Sequence, residues 1–571
     1  MNLDAFEEKL DTFYNKPSLT TENKNLALWR ILTQFEDVAF LHLTEALKSQ
    51  EDYFLVQLKY ITFIDEHKFQ IKYALNRIFN ECKDERPFPI DKVMQKKVYL
   101  QAWKIYKRSK QYRDISLSII SIRQGEASAS IEGKKLKITN NRSQEKHTIL
   151  QYCGYVREED KKIEHAFEIL MNILKESEPT IKHAIESNIS IKDSNPIYKL
   201  DLRLLEIIFN KVTHKLFEVP DDWVFPWSTL DELRCYFRSL NTICIYHIMM
   251  NQAASAKYKI KGGGIEKRLL IMSGADLIEL IGKISNLKKD VIDKINRYLT
   301  YGYKTNKPDI SLQPLIDFND KLIICPQTVM SLNYERNALS LHLRVAKKNF
   351  DSQSYKFENG MITRFSEKIG KRFKYDTNFH LANRAGGEID AIIIDELSKT
   401  IVICELKWVL TPADPNEILK KYSESEHKIS QAIIKSEEAK RQKRYILNRF
   451  NIKSESLDDW KVYPFALFEN FPGIEGDPKD GIIALPMYMF FNILNHTISL
   501  RVFCDFIKSG AWLPVEDLHY KKTKETFTFG GLQIEIGQIE VIDLAEYLFE
   551  YIPYSIQYKQ FSDKAIKDEV I

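Results

Sequence analysis

Two short apolar runs constrain the fold of this chain more than any other feature. The first is EIDAIII (388–394) and the second is TIVICEL (400–406), and only the turn-rich DELSK segment separates them. Runs of this length that are rich in β-branched residues predict strands, and an uninterrupted apolar run such as IVIC predicts a strand buried on both faces. The short polar linker between the runs predicts a β-hairpin.

The register of this hairpin decides which polar side chains meet at its open end. If Ile394 faces Ile401, the same register sets Asp390 opposite Glu405, with their carboxylates as neighbours across the two strands. Because side chains alternate along a strand, Glu405 and Lys407 share one face of the sheet. The sequence therefore predicts one face that collects Asp390, Glu405 and Lys407.

Two acids at the edge of a buried sheet require a cation between them. Their carboxylates repel each other and are costly to desolvate, and a divalent metal meets that need. Mg²⁺ takes oxygen ligands and is typically held by one or two carboxylates together with substrate phosphate. An amine such as Lys407 beside it could orient or deprotonate water and neutralise charge that develops on phosphorus. The pattern is typical of metal-assisted phosphodiester hydrolysis.

The segments GGEID and ICELK, placed on either side of a hairpin turn, resemble the D…(D/E)xK signature of the restriction-endonuclease-like, or PD-(D/E)xK, nuclease superfamily in its GEID branch. The resemblance covers residues 345–490 and implies a central mixed sheet flanked by helices. It implies that Asp390 and Glu405 ligate catalytic Mg²⁺, for which Mn²⁺ can substitute, and that Lys407 assists the attacking water. Ile389 stands where the superfamily's name has proline, a substitution that this branch tolerates.

The same resemblance suggests two further site residues. A glutamate on the helix before the first core strand often completes such sites, and Glu358 is the candidate, with Glu367 as the fallback. Gln431, on the helix after the ExK strand, stands where related nucleases carry a substrate-positioning glutamine. The tyrosine that accompanies it in some branches is replaced here by Lys435.

Each of these assignments has a simpler structural alternative. Asp390, Glu405 and Lys407 would also suit a salt-bridged strand end, in which Lys407 pairs with either acid. Glu358 would equally suit the solvent-facing side of a helix. Glu388 is interpreted as a surface or supporting carboxylate rather than a metal ligand.

The helix expected at 419–449 is rich in basic residues. It holds nine Lys or Arg against four Glu, a net charge of +5 that could steer a phosphate backbone. The alternative is an ordinary solvated helix face. Its densest part is KRQKR, so the candidate substrate-binding residues there are Lys440, Arg441, Lys443 and Arg444.

The rest of the chain is interpreted as an α+β multidomain protein. Apolar residues at three- and four-residue spacing, such as Leu28, Leu32 and Phe35, predict a mainly helical N-terminal region. Residues 187–196 are interpreted as a loop, and helical patterning is expected around HAFEILMNILKE. The predicted regions are 1–260, helical with a small hairpin-like polar insertion near 123–148; 261–344, a helical or mixed connection; 345–495, the nuclease-like α/β domain; and 496–571, a C-terminal extension.

Overall composition does not identify a partner. The 83 Lys and Arg nearly balance the 79 Asp and Glu, which leaves a formal charge of +4, so any basic surface must be local. The seven cysteines form no CxxC pair and suit reduced thiols. The chain has no apolar run of about 18 residues and no apolar segment at its start. We therefore expect a cytoplasmic protein without a signal peptide or membrane span.

These observations lead to one functional hypothesis with two alternatives. We expect a Mg²⁺-dependent nuclease acting on DNA, with a helical region that senses a trigger, forms a homo-oligomer or recruits a partner protein. A long accessory region on such a nuclease resembles bacterial systems that restrict phage or plasmid DNA. The alternatives are an RNA-directed nuclease and a catalytically silent nucleic-acid-binding or assembly protein that keeps the fold.

Overall fold

The chain forms two compact units. The computed structural model describes residues 3–16, 18–48, 53–90, 93–123, 125, 127–140, 179–192, 195–212, 219–260, 268–382, 387–410, 415–469 and 483–542. The first unit comprises 1–119, 158–351 and the three residues 529–531, and the second comprises 120–157, 352–528 and 532–571.

The described residues are of mixed α/β class, with most helices in the N-terminal part. The helices are α1 (Leu3–Tyr14), α2 (Lys24–Lys48), α3 (Tyr53–Glu81), α4 (Lys96–Arg123), α5 (Pro179–Asn188), α6 (Leu202–Lys211), α7 (Leu230–Tyr258), α8 (Gly274–Ser285), α9 (Lys289–Leu299), α10 (Pro326–Met330), α11 (Tyr334–Val345), α12 (Lys347–Asp351), α13 (Tyr355–Ile369), α14 (Pro415–Arg441), α15 (Lys443–Arg449), α16 (Met487–His496) and α17 (Leu500–Ser509). Within the described residues, no helix combines the length and apolar character needed to cross a lipid bilayer.

The strands form four sheets among the described residues. They are β1 (Ala127–Glu132), β2 (Lys135–Asn140), β3 (Ile189–Lys192), β4 (Asn195–Tyr198), β5 (Leu270–Met272), β6 (Ile316–Phe318), β7 (Lys321–Ile324), β8 (Lys374–His380), β9 (Glu388–Asp395), β10 (Thr400–Lys407), β11 (Lys461–Phe468), β12 (Ile483–Pro486), β13 (Tyr520–Phe529) and β14 (Leu532–Val541). The strand orders are β1-β2-β14-β13, β12-β11-β10-β9-β8, β3-β4 and β5-β7-β6.

The first unit is built mainly from helices, as the N-terminal periodicity predicts. The stripe of Leu28, Leu32 and Phe35 on α2 is fully buried in a core that also includes residues of α3 and of the β5-β7-β6 sheet. Helix α7 begins with a capping box, in which Thr229 and Glu232 each accept a hydrogen bond from the other's backbone N–H. The sequence signals for helices in this region are therefore confirmed.

One segment of the first unit differs from its prediction. The loop expected at 187–196 is wrong, because Ile189 to Lys192 and Asn195 to Tyr198 form an antiparallel hairpin, β3 with β4. Its apolar residues alternate with polar ones, which is the strand period, and the polar composition concealed that signal. The helix expected around HAFEILMNILKE lies outside the described residues.

The second unit contains chain segments that are remote in sequence. Within the polar insertion expected near 123–148, the described residues 127–140 form the β1-β2 hairpin, and β2 pairs in parallel with β14 of the C-terminal extension. Among the described residues, the predicted connection at 261–344 falls within the first unit, and the division into four regions stays a prediction. A pairing between strands almost 400 residues apart has no local sequence signal.

The central sheet of the second unit contains the predicted hairpin in the predicted register. Strands β9 and β10 are antiparallel, with Ile401 opposite Ile394, while β10, β11 and β12 are parallel. A parallel pair needs a crossover connection, and α14 and α15 provide it between β10 and β11. All of β10 is buried except for the partly exposed Lys407, as the apolar run predicts.

The basic helix expected at 419–449 is divided in the structure. Helix α14 ends at Arg441 and α15 begins at Lys443, with Gln442 between them outside helical geometry. The Gln442 side chain accepts a hydrogen bond from the backbone N–H of Ala382. A tertiary contact therefore stabilises a break that the helical periodicity did not indicate.

We expect Ile403→Ala to destabilise the central sheet by about 2–5 kcal/mol, because Ile403 is fully buried between the sheet and its covering helices. Hydrogen exchange of the β10 amides in the full chain would measure the loss of protection. Leu397→Ala is the matched control, since Leu397 lies in the hairpin turn and is 98% exposed. Equal protection in the two variants would contradict the burial argument.

Candidate active site

The open end of the β9-β10 hairpin brings the two predicted acids together. The last backbone pair in this direction is Ala391 with Cys404, and Asp390 and Glu405 follow it. Asp390 Oδ2 accepts a hydrogen bond from the backbone N–H of Leu406 at 2.8 Å, which holds its carboxylate against β10. The Glu405 side chain is fully buried, whereas that of Asp390 is 23% exposed. One acid is thus enclosed and the other reaches the surface of the site.

Two lysines of α14 neutralise these acids. Lys428 Nζ lies 3.2 Å from Asp390 Oδ2 and 3.3 Å from Glu405 Oε2, so that its ammonium group bridges the pair. Lys435 Nζ lies 2.7 Å from the same Glu405 oxygen and also donates to the backbone carbonyl of Glu388. A spacing of seven residues places both lysines on one face of the helix. The described cationic partners of the two acids, Lys428 and Lys435, therefore both lie on the crossover helix α14.

The predicted lysine of the signature makes a different contact. Lys407 Nζ lies 3.0 Å from Glu358 Oε1, and this ion pair connects the end of β10 to α13. The alternative in which Lys407 pairs with Asp390 or Glu405 is not found among the described ion pairs. Glu358 is thus connected to the site by its ion pair with Lys407. The fallback candidate Glu367 is an exposed residue of α13.

The protonation of the site follows from burial and from its charges. Burial raises the pKa of the Glu405 carboxyl, and the charge of Asp390 raises it further, against the effect of Lys435 and Lys428. Burial alone would lower the pKa of Lys428, but the charges of Asp390 and Glu405 outweigh it, so the pKa is raised. The bridging ammonium group therefore stays positively charged at neutral pH.

The oxygen atoms of the site suit a divalent cation. Glu405 Oε1 is buried and has no hydrogen-bond partner among the described residues, and the same holds for Gln431 Oε1, one turn beyond Lys428. An unpaired buried acceptor is costly, and a bound cation with its waters would satisfy it. No group of three His, Cys, Asp or Glu side chains in the described part of the chain is arranged to hold a metal. Asp390 and Glu405 would thus be its protein carboxylates.

The candidate substrate-binding residues near KRQKR are partly neutralised. Their described contacts are Lys440 with Glu437 at 2.6 Å, Arg441 with Glu438 at 3.0 Å, and Lys443 with the carbonyl of Leu457 at 3.0 Å. Arg444 is exposed. Pairs of this kind between neighbouring helix residues leave less positive charge for a phosphate backbone than the sequence count indicates.

Trp408, directly after the signature, belongs to the core. Its ring stacks on that of Phe357 at a centroid distance of 3.8 Å, and only 8% of the residue is exposed. Phe357 precedes Glu358 on α13. The stacked pair therefore fixes α13 beside the end of β10, where Glu358 meets Lys407.

Sequence reasoning predicted that the two acids lie close together but did not single out Lys428 as their partner. Its signal was the recurrence of Lys428, Gln431 and Lys435 at spacings of three and four, which places all of them on one face of α14. The sequence does not show that this face of α14 points at the acids, because its direction depends on the path of the crossover helix. The sequence marks Lys435 as a departure from the pattern that the resemblance implies, and not as a partner of Glu405.

No family model, curated protein or solved structure matches this chain in comparisons with known proteins. The fold and the charged cluster are therefore the basis for inferring a function. Together they define a mixed α/β unit with two acids at the end of a central hairpin and lysines from two secondary-structure elements around them.

We expect Lys435→Met to destabilise the second unit by roughly 3 kcal/mol, because it removes a partner from a fully buried carboxylate. In a Glu405→Gln background the same change should cost much less, since no buried charge remains. Hydrogen exchange of β10 and α14 in the full chain would give the four stabilities of this double-mutant cycle.

Lys440→Met is the matched control on the same helix. Its partner Glu437 is exposed, so its removal should change stability by less than about 1 kcal/mol. Additive effects of the Lys435 and Glu405 changes would show that the pair is not coupled.

Proposed function

We propose that this protein is a metal-dependent nuclease that hydrolyses phosphodiester bonds, with DNA as its substrate. The observation that carries the proposal is the adjacency of Asp390 and Glu405, with an unpartnered buried oxygen on Glu405. The mixed sheet with α13 before it and α14 after the hairpin supports the proposal, because the resemblance to restriction-endonuclease-like nucleases implies a central mixed sheet flanked by helices.

Asp390 and Glu405 would hold Mg²⁺, or Mn²⁺ in its place, and the ion would supply Lewis-acid stabilisation of the phosphate and a more acidic water molecule. The residues of the chain provide the geometry for this chemistry. Lys435 holds the Glu405 carboxylate through one oxygen and leaves the other available. On β9, the Asp390 carboxylate is held by the backbone N–H of Leu406, which donates to its Oδ2 atom.

Lys407 is the candidate for positioning the attacking water. Its side chain is 29% exposed and is therefore partly open to solvent. Glu358 restrains that ammonium group and would keep it in one orientation as charge develops on the phosphate. Gln431, on the face of α14 that carries Lys428, is available to hydrogen-bond the substrate.

The cellular role that we propose is restriction of phage or plasmid DNA, with the helical first unit as the part that senses a trigger, oligomerises or binds a partner. This role follows from the resemblance and from the presence of a large accessory unit. The site residues do not distinguish DNA from RNA, because both present the same phosphodiester group.

A second candidate function is nucleic-acid binding or assembly without hydrolysis. The observation that favours it is the bridge from Lys428 to both acids, which satisfies their charge without a metal ion. The two candidates differ in one measurable property, since a binding protein would have no need for a divalent cation.

We expect the full-length protein to cleave nucleic acid with Mg²⁺ and not with EDTA. Plasmid, linear and single-stranded DNA and RNA would be the substrates, and gel analysis of products would be the measurement. Asp390→Asn removes a metal-ligand charge and Lys407→Ala removes the water-positioning amine, so each should slow cleavage by about 100-fold or more.

Lys374→Ala is the matched control, because Lys374 forms an ordinary exposed ion pair with Glu396 on the edge strand of the same sheet. It should cleave like the wild type. If Lys407→Ala cleaved as fast as this control, the assignment of the site would be wrong. Nucleic-acid binding without cleavage in any metal would favour the second candidate function.

A further inference from the structure

Lys428 is placed where a cation shared by the two acids would lie. Its ammonium group is within 3.3 Å of an oxygen of both Asp390 and Glu405, and the side chain is only 19% exposed. At such distances, and with little solvent to screen the charges, a second cation bound to either oxygen of these carboxylates would lie close to the ammonium group and be repelled strongly. An ammonium group and a divalent ion are therefore alternatives at this position.

The charges of the cluster balance without a metal ion. The described ion pairs join three acids (Glu358, Asp390 and Glu405) to three lysines (Lys407, Lys428 and Lys435). Adding a divalent cation to this set would leave an excess of two positive charges in a partly buried space. Such an excess is unfavourable unless one ammonium group leaves or an anion arrives.

The three lysines differ in how firmly they are held. Lys435 is anchored by the Glu388 carbonyl as well as by Glu405, and Lys407 is paired with Glu358 on another helix. The described contacts of the Lys428 ammonium are the two metal-site acids alone. A metal ion would thus compete with Lys428, more than with the other two lysines, for the carboxylates of Asp390 and Glu405.

We infer that Lys428 is an internal counter-cation of this site, which keeps the acid pair neutral without metal and is displaced when a divalent cation binds. This inference rests on the proposed function. The flexible four-carbon stem of lysine allows the ammonium group to swing away from the acids while α14 stays in place. The displaced ammonium group would then be free to pair with a phosphate group of the substrate.

Titration of the full-length protein with Mn²⁺ alone, followed by calorimetry, tests the exchange without any substrate. Lys428→Met removes the competing charge and keeps the length of the side chain, so the variant should bind Mn²⁺ about tenfold more tightly than the wild type. The metal-free variant should also melt at a lower temperature than the wild type, and saturating Mn²⁺ should reverse that difference.

Two further variants separate charge from shape. Lys428→Arg keeps the positive charge and should bind Mn²⁺ no more tightly than the wild type. Lys428→Gln removes the charge but keeps a hydrogen-bond donor, and it repeats the test if the Met variant does not fold. Lys374→Met, on the edge strand, should leave Mn²⁺ affinity unchanged.

Equal or weaker Mn²⁺ binding by both neutral variants would overturn the inference. If the wild type nevertheless bound Mn²⁺ and cleaved nucleic acid, the proposed function would stand without it. If neither the wild type nor the neutral variants bound Mn²⁺, and no nucleic acid were cleaved, both the inference and the proposed function would fail.

Discussion

The buried carboxylate of Glu405 is the constraint on which the second unit depends. It ends a strand of aliphatic residues and is itself fully enclosed, so its charge must be met by cations from within the protein. Lys435 and Lys428 of α14 provide them. Because these lysines must reach β10, the ion pairs help to fix how α14 lies across the sheet. A residue proposed for chemistry thus also determines where its neighbouring helix packs.

The charged groups around Glu405 have different roles, some in holding the structure and others in the proposed chemistry. Lys435 has an additional backbone anchor and stabilises the fold, whereas the contacts that the described residues make with the Lys428 ammonium group come from the acids alone. Lys407 is oriented from another direction by Glu358, whose helix is positioned by the stacking of Phe357 on Trp408. Glu405 therefore has one permanent and one exchangeable lysine partner, an arrangement that can tolerate both the presence and the absence of a metal ion.

The hairpin and its acids could be predicted because their signals are local. Few registers other than the pairing of Ile394 with Ile401 would keep the apolar residues of both strands buried. This register fixes where Asp390 and Glu405 lie. The role of Lys428 could not be predicted, since it depends on the path of a crossover helix that begins after the strand. The pairing of β2 with β14 and the break at Gln442 are likewise tertiary, and nothing in the neighbouring residues specifies them. The superfamily assignment remains a prediction.

The neutrality of the cluster also bears on how substrate would be recognised. Without a metal ion, the described charges of the site cancel, and Lys440 and Arg441 of KRQKR are paired with acids. A phosphate group would then meet little net positive charge at the site. Replacement of Lys428 by a divalent cation would change this, because it raises the net charge of the cluster by two and releases the lysine ammonium group from the acids. Metal and phosphate should therefore favour each other's binding. The site would then bind a nucleic acid more tightly once it holds the metal ion that hydrolysis requires.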